Sequence, residues 1–129
     1  MDKLRHFKLS EFACKCGCDS DGSEMNETLL EALDAIRTLC NFPFVISSGY
    51  RCPNHPDERI KSALGAHSKG VAVDIMVRGE NAVELLRIAL NANIFTGFGV
   101  HQRGSGRFIH LDIATSYEFS APRPYIWSY

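Results

Sequence analysis

The chain has 129 residues and a mass of 14.4 kDa, enough for one hydrophobic core and too little for two independent ones. Its 14 Lys and Arg residues nearly balance 15 Asp and Glu residues, which argues against a protein that binds nucleic acid or an anionic membrane through its overall charge. No apolar run approaches the roughly 20 residues that span a bilayer. The N-terminus MDKLRHFKLS also lacks the apolar stretch of a secretory signal. We therefore expect a single domain over residues 1–129, made in the cytoplasm, with no nucleic-acid partner and no membrane insertion.

The first 23 residues are polar and rich in Gly and Cys, and a helical pattern follows them. Residues 1–23 predict an irregular segment with three apolar anchors, Phe7, Leu9 and Phe12. In residues 26–40 (NETLLEALDAIRTLC) apolar side chains recur at spacings of three and four, at Leu29, Leu33, Ile36 and Cys40. Asn26 is a suitable N-cap for this helix, and Pro43 stops it shortly beyond its end.

The N-terminal segment also carries three of the five cysteines, in the motif FACKCGC. An odd number of cysteines leaves at least one thiol without an intramolecular disulfide partner. The CxCxC spacing differs from the C-x(2–4)-C pair of zinc ribbons, although alternate residues of an extended chain point the same way, which a metal could exploit. Three interpretations stay open: small buried hydrophobes in a reducing cytosol, a second metal at Cys14, Cys16 and Cys18, or a disulfide to Cys52 after oxidation.

The rest of the chain predicts a small antiparallel sheet and a second helix. The strand candidates are residues 44–50 (FVISSGY), 71–77 (VAVDIMV), 95–101 (FTGFGVH) and 107–113 (RFIHLDI), the last two joined as a hairpin by a Gly-rich turn. Residues 80–92 predict the helix, with an apolar face of Val83, Leu86 and Leu90. Residues 51–69 predict a long surface loop, and the tail APRPYIWSY predicts a packed closing segment rather than a strand. This order of elements indicates an α+β fold with two main helices.

Polar residues stand out on two of these strands. Asp74 lies on the opposite face of its strand from four aliphatic neighbours, and His110 and Asp112 share one face of RFIHLDI. His67 precedes Asp74 by seven residues. Two imidazoles and a carboxylate on separate elements can supply three ligands of a catalytic zinc, which lowers the pKa of bound water from 15.7 to about 7. Spacing alone does not decide between this site and ordinary capping or hydrogen-bonded roles.

The local motifs favour the metal site. SGYR (48–51), HSKGVAVD (67–74) and FIHLD (108–112) closely resemble those of the zinc D-Ala-D-Ala metallopeptidases. These M15-type peptidases share their fold with lysostaphin-type enzymes and the Hedgehog signalling domain, and the resemblance runs through most of the chain. It implies one zinc ion per chain, held by His67, Asp74 and His110. It also implies that Arg51 binds the substrate's carboxylate or polarises its scissile carbonyl, which suits a bidentate guanidinium.

The chain departs from the family's pattern near this site. Gly65 stands where many relatives have Ser, and Arg107 stands where several members place an acidic general base. Asp112 is the replacement candidate, either as the base or as a carboxylate that orients a ligand imidazole. His101 is the other candidate for a base or a transition-state donor. Arg51 also has a structural alternative, a salt bridge beneath the loop.

The resemblance implies a zinc-dependent peptidase that acts on peptidoglycan peptides, as a D-Ala-D-Ala carboxypeptidase or an endopeptidase of endolysin type. We expect a monomer that reaches the bacterial wall through a holin, a virion or export. Arg51 would stabilise the developing oxyanion, and Asp112 or His101 would carry the proton. Two alternatives remain. One is a non-catalytic zinc module of the same fold that binds wall peptide or a protein partner, and the other is a structural protein whose metal has four protein ligands.

Overall fold

Two helices and a five-stranded sheet make up the regular structure in a computed structural model that describes residues 4–57, 65–117 and 121–129. The helices are α1 (Glu27–Leu39) and α2 (Gly79–Asn91). The strands are β1 (Val45–Ser48), β2 (Ala72–Met76), β3 (Gly97–His101), β4 (Phe108–Asp112) and β5 (Tyr125–Ser128). Short 3-10 helices occupy Leu9–Phe12 and His67–Lys69. The α+β class predicted from the sequence is confirmed.

Helix α1 begins where the sequence predicted, directly after Asn26. The Asn26 side-chain oxygen accepts a hydrogen bond from the backbone N–H of Leu29 at 3.1 Å, which satisfies one of the amides that a helix start leaves unpaired. The buried face of the helix consists of Leu29, Leu30, Leu33 and Ile36. The apolar period of this segment therefore predicted both the helix and the face that it buries.

The strands lie in the order β1-β2-β4-β3-β5, and β3 and β4 form the predicted hairpin. The first four strands pair antiparallel, whereas β5 lies parallel to β3 at the edge of the sheet. The prediction that the tail APRPYIWSY is not a strand was therefore wrong. Pro122 and Pro124 precede Tyr125–Ser128 rather than interrupt it, so they remove no hydrogen-bond donor from this edge strand.

Helix α2 buries a different face from the predicted one. Its buried residues are Ala82, Leu85 and Ala89, while the predicted Val83 and Leu90 are 56% and 51% exposed. The third predicted residue, Leu86, is partly buried and packs against the core. Both sets recur at spacings of three and four, so the period alone could not separate them. Two of the three buried residues are thus alanines, and Leu85 is the large side chain of α2 that is fully buried.

The core lies between the two helices and one face of the sheet. Phe7 and Phe12 of the N-terminal segment are buried in it and Leu9 packs against its edge, as predicted. Of the loop predicted over residues 51–69, residues 58–64 lie outside the described residues, and His67 is buried in a short 3-10 helix rather than placed on the surface. In the described part of the chain, no helix combines the length and the apolar character needed to cross a bilayer.

Candidate active site

The face of the sheet that points away from the core carries a buried polar group. Asp74 of β2 lies directly opposite His110 of β4, and Asp112 follows two residues later on the same face. Asp74 and His110 are each 5% exposed, and Asp112 is fully buried. The alternate residues of β2 and β4 pack into the core on the other face: Val73, Ile75, Ile109 and Leu111.

His67 joins this group from the 3-10 helix that precedes β2. Gly70 ends that helix with a φ of +72°, a conformation that favours glycine, and a Cβ there would overlap the backbone of Glu24. The backbone carbonyl of His67 accepts a hydrogen bond from the N–H of Arg51 at 3.2 Å. The helix is therefore fixed both to the residues at the start of α1, where the N–H of Asn26 donates to the carbonyl of Gly70 at 2.8 Å, and to the chain that follows β1.

Three potential metal ligands converge at this point. Asp74 Oδ1 lies 3.3 Å from His67 Nε2 and 3.1 Å from His110 Nδ1. Ligands of a tetrahedral zinc ion at its usual bond lengths are separated by about 3.3 Å, so this spacing fits one shared ion. The three residues thus form a His-Asp-His group that could bind a metal, with donor types that suit zinc and related transition metals.

Each histidine uses its other ring nitrogen to hold the ring in place. His67 Nδ1 lies 2.8 Å from the carbonyl oxygen of Gly49, which can only accept, so this nitrogen donates. His110 Nε2 lies 2.7 Å from Asp112 Oδ2 and donates to that carboxylate. With these protons placed, both rings turn an unprotonated nitrogen toward Asp74, which is the form in which imidazole binds a metal.

Asp112 is enclosed by hydrogen-bond donors. Besides His110, its carboxylate accepts from Arg123 Nε at 3.0 Å, from Arg123 Nη2 at 2.9 Å and from the backbone N–H of Ala114 at 3.1 Å. Burial raises the pKa of Asp112, but the hydrogen bonds from His110 and Arg123 outweigh burial and hold that pKa well below its usual range. Of the two predicted roles, this geometry favours orientation of His110 over general base, because water does not reach the carboxylate.

Arg51 connects the polar group with the end of β1. Its Nη2 donates to Asp74 Oδ2 at 3.2 Å, and its Nε donates to Ser48 Oγ at 3.0 Å. The salt bridge predicted as the structural alternative for Arg51 is present, and the same side chain also lines the adjacent cavity.

A cavity of about 390 Å³ opens beside the His-Asp-His group. Two guanidinium groups line it, those of Arg51 and Arg123, and so do three aromatic rings, those of Phe108, Trp127 and Tyr129. Among the described residues that line it, Asp57 and Asp74 are the carboxylates. A cleft that combines two cations with a potential metal ligand set is suited to peptides with a free carboxylate.

Sequence reasoning missed Arg123 and Trp127, which come from the C-terminal tail. The Trp127 ring centroid lies 5.0 Å from that of His110 and 5.1 Å from Arg123 Cζ. A Cβ on Gly99 would come within 2.8 Å of the Trp127 ring, and one on Gly97 would overlap the carboxyl group of Asp112. The alternate glycines of TGFGVH were the available signal, since glycines on one face of a strand leave room for bulky neighbours.

Two other positions considered in the sequence, His101 and Arg107, are not among the described residues that line the cavity. The His101 ring stacks on Phe108 with centroids 5.0 Å apart. Its Nδ1 is buried and has no hydrogen-bond partner within the described ranges, so a role as base stays a prediction that this geometry does not favour. Arg107 donates from Nε to the carbonyl of Gly104 at 2.8 Å in the β3–β4 turn.

Comparison with known proteins gives one family match. The model of the family Peptidase M15 matches residues 5–112, which contain His67, Asp74, His110 and Arg51. No curated protein sequence matches the chain. The match covers most of the chain and ends at Asp112, so Arg123 and Trp127 lie beyond it.

Proposed function

The chain belongs to the Peptidase M15 family, as its motifs predicted, and from this premise we propose that it is a zinc-dependent peptidase of bacterial peptidoglycan. Its substrates would be stem peptides or their cross-links, which contain D-amino acids. The observation that carries the proposal is the convergence of His67 Nε2, Asp74 Oδ1 and His110 Nδ1, with the outer nitrogen of each histidine fixed by an acceptor. When bound there, zinc supplies a Lewis acid that polarises a carbonyl and acidifies water.

Two arginines suit the charges of such substrates. A stem peptide ends in a carboxylate, and its scissile carbonyl gains negative charge during hydrolysis, so guanidinium donors beside the metal ligands stabilise both. Arg51 is held by Asp74 and Ser48, and Arg123 is held by both oxygens of Asp112. These contacts place the donors before a substrate arrives, which reduces the cost of ordering them.

Proton transfer requires a group that faces the cavity. The oxygens of Asp112 are occupied by His110 and Arg123, and Asp74 is needed as a ligand. Asp57 also lines the cavity, and its side chain is 64% exposed, so its carboxylate is open to water. Among the described residues that line the cavity, Asp57 is the carboxylate that is open to water and is not a metal ligand, and we assign to it the transfer of a proton from the attacking water to the leaving amine, a contribution of about 10²–10⁴-fold in typical enzymes.

Digestion of purified peptidoglycan by the zinc-loaded chain tests the proposal. His110→Ala removes a ligand, Asp57→Asn removes the assigned base, and Glu31→Gln on the exposed side of α1 is the matched surface control. We expect new amine termini from the wild type and the control at equal rates, none above background from His110→Ala, and a kcat at least about 100-fold lower for Asp57→Asn. Free D-Ala among the products would indicate a carboxypeptidase, and conversion of cross-linked dimers to monomers an endopeptidase.

A non-catalytic module that binds wall peptide is the second candidate. The specific observation in its favour is Arg107, which occupies the position of the family's acidic base and is bonded to Gly104. Such a module would co-sediment with insoluble peptidoglycan without releasing amines, and Asp57→Asn would bind as the wild type does. Zinc-loaded wild type that binds the wall and cleaves no preparation would replace the peptidase with this module.

The biological setting that we propose is that of a phage endolysin, which a holin or a virion delivers to the wall. This rests on the resemblance of the motifs to those of wall peptidases. Addition of the purified chain to permeabilised bacteria should lower their turbidity, whereas His110→Ala should not. Constant turbidity together with cleavage of purified peptidoglycan would remove the lytic role and keep the peptidase.

A further inference from the structure

A second cluster of possible metal ligands lies outside the cavity, at the N-terminal segment. The sulfur atoms of Cys14, Cys16, Cys18 and Cys52 all lie within 4.8 Å of one another. Cys14 Sγ is 3.3 Å from Cys16 Sγ and 3.7 Å from Cys52 Sγ, and the last two sulfurs are 3.2 Å apart. All four thiols are free. Residues from two distant parts of the chain therefore meet at one point.

The spacing of these sulfurs matches a single tetrahedral ion. Four thiolates bound to zinc at about 2.3 Å are separated from one another by about 3.8 Å. The three separations among Cys14, Cys16 and Cys52 are 3.2–3.7 Å, and Cys18 Sγ lies within 4.8 Å of the other sulfurs, so an ion at the centre would require only small shifts of the thiols. Four cysteines and no open position are the composition of a closed, structural zinc site.

Burial of small apolar side chains does not explain the cluster. Cys14 and Cys52 are buried, but Cys16 and Cys18 are exposed, and exposed thiols gain nothing from the hydrophobic effect. Cys40 is the contrasting case, because it is 3% exposed, belongs to the core and is not part of the cluster. The five cysteines thus divide into one core residue and four that share a site.

The backbone is shaped to bring the sulfurs together. Gly17 has a φ of +94° with nothing within 4 Å of the position of its missing Cβ, so glycine serves conformation here rather than close packing. This turn lets Cys16 and Cys18 approach the same point despite their short spacing. The N–H of Cys52 donates to Cys14 Sγ at 3.3 Å, a contact that stabilises negative charge on sulfur.

We propose that Cys14, Cys16, Cys18 and Cys52 bind a second zinc ion that is structural and separate from the His-Asp-His group. This ion links the N-terminal segment to the residue that directly follows Arg51. The site goes beyond the proposed peptidase activity, and it requires neither that activity nor a metal at His110.

Metal stoichiometry of the full chain, purified under reducing conditions, tests the site. We expect two zinc ions per wild-type chain and one in Cys16→Ser/Cys18→Ser, whose exposed positions tolerate Ser. His110→Ala should lose the other ion and keep this one, and Cys40→Ala, the matched thiol control, should keep both. In the cobalt-substituted protein, the near-ultraviolet thiolate-to-cobalt absorption should persist in His110→Ala and vanish in the double cysteine variant.

A second measurement uses the wild type alone, so that it does not depend on how the variant folds. Titration with a mercurial thiol reagent should release one zinc ion as four thiols react. Three outcomes would each overturn the proposal. The wild type and the double variant could contain equal amounts of zinc, or the sulfurs could bind iron and no zinc. The third is a mass 2 Da lower than that of the reduced chain, which would indicate a disulfide within the cluster.

Discussion

Replacing Asp112 with asparagine keeps the shape of the side chain and removes its charge, so it isolates the bond that orients His110. In the wild type the carboxylate accepts from His110 Nε2 at 2.7 Å. If the amide NH₂ takes the position of Oδ2, it faces the N–H of His110, so two donors oppose each other. If the amide is rotated, its NH₂ instead faces two other donors, the N–H of Ala114 and Nε of Arg123. We expect His110 to protonate at Nδ1 instead, which removes the lone pair that faces Asp74.

The size of this effect follows from the position of Asp112 behind a ligand. Loss of a hydrogen bond to a ligating histidine lowers metal affinity by about 10–100-fold. Since a factor of ten corresponds to about 1.4 kcal/mol, zinc binding to the His-Asp-His group should weaken by about 1.4–2.8 kcal/mol. The free energy of unfolding should fall by about 1–3 kcal/mol because a buried donor is left unsatisfied. Excess zinc should restore kcat, since the variant changes occupancy rather than proton transfer.

Trp127 provides the assay for this prediction. It is the single tryptophan of the chain, and its ring centroid lies 5.0 Å from that of His110, so its fluorescence should report a metal at that residue. Zinc titration against a competing chelator, checked by calorimetry, gives the Kd of wild type and variant. Glu31→Gln, which also converts an acid to an amide but on an exposed surface, should bind zinc as the wild type does.

Two outcomes would refute this reasoning. An unchanged Kd in a folded Asp112→Asn chain would show that the carboxylate does not orient His110. A kcat that stays low at saturating zinc, with Kd unchanged, would make Asp112 the proton carrier that the sequence also allowed.

Two further predictions concern the packing that supports the site. Gly97→Ala should lower the free energy of unfolding, measured by urea titration, by about 1–3 kcal/mol, because the new methyl group overlaps the Asp112 carboxyl. Gly106→Ala is the control and should have little effect, because its new methyl group would have no atom within 4 Å. Leu85→Ala should lower the free energy of unfolding by about 2–5 kcal/mol, because Leu85 is a fully buried residue of α2, whereas Val83→Ala at an exposed position should change it by no more than about 0.5 kcal/mol. Equal losses of stability in the two variants would mean that the buried face of α2 is misassigned.

The sequence predicted the elements whose evidence is local. Asn26 and the apolar residues that follow it define both the start and the buried face of α1. Alternation on β2 and β4 placed Asp74, His110 and Asp112 on one face, and the register of the two strands brings them together there. The motifs of the family then singled out His67, which no period or strand pattern connects with the other two.

The remaining features depend on partners that are distant in the chain. Strand β5 becomes a strand only beside β3, whose Gly99 leaves space for Trp127. The two possible apolar faces of α2 are equivalent in period, and close packing selects the one with alanines. Arg123 fixes the role of Asp112 by binding both of its oxygens, and nothing near Asp112 in the sequence indicates that contact.

The chain from Gly49 to Cys52 connects the two clusters of metal ligands. Gly49 and Arg51 contact His67 and Asp74, whereas Tyr50 donates to the carbonyl of Phe12 and Cys52 meets the N-terminal cysteines.

Alternate residues of this segment thus contact the His-Asp-His group on one side and the N-terminal segment on the other. The thiolate site should therefore help to position Gly49 and Arg51, which contact His67 and Asp74. If so, Cys16→Ser/Cys18→Ser should weaken zinc binding at the His-Asp-His group by at least about fivefold, measured by Trp127 fluorescence. An equal Kd in the two proteins would mean that the segment keeps its geometry without the second ion, because β1 and the core suffice to hold it.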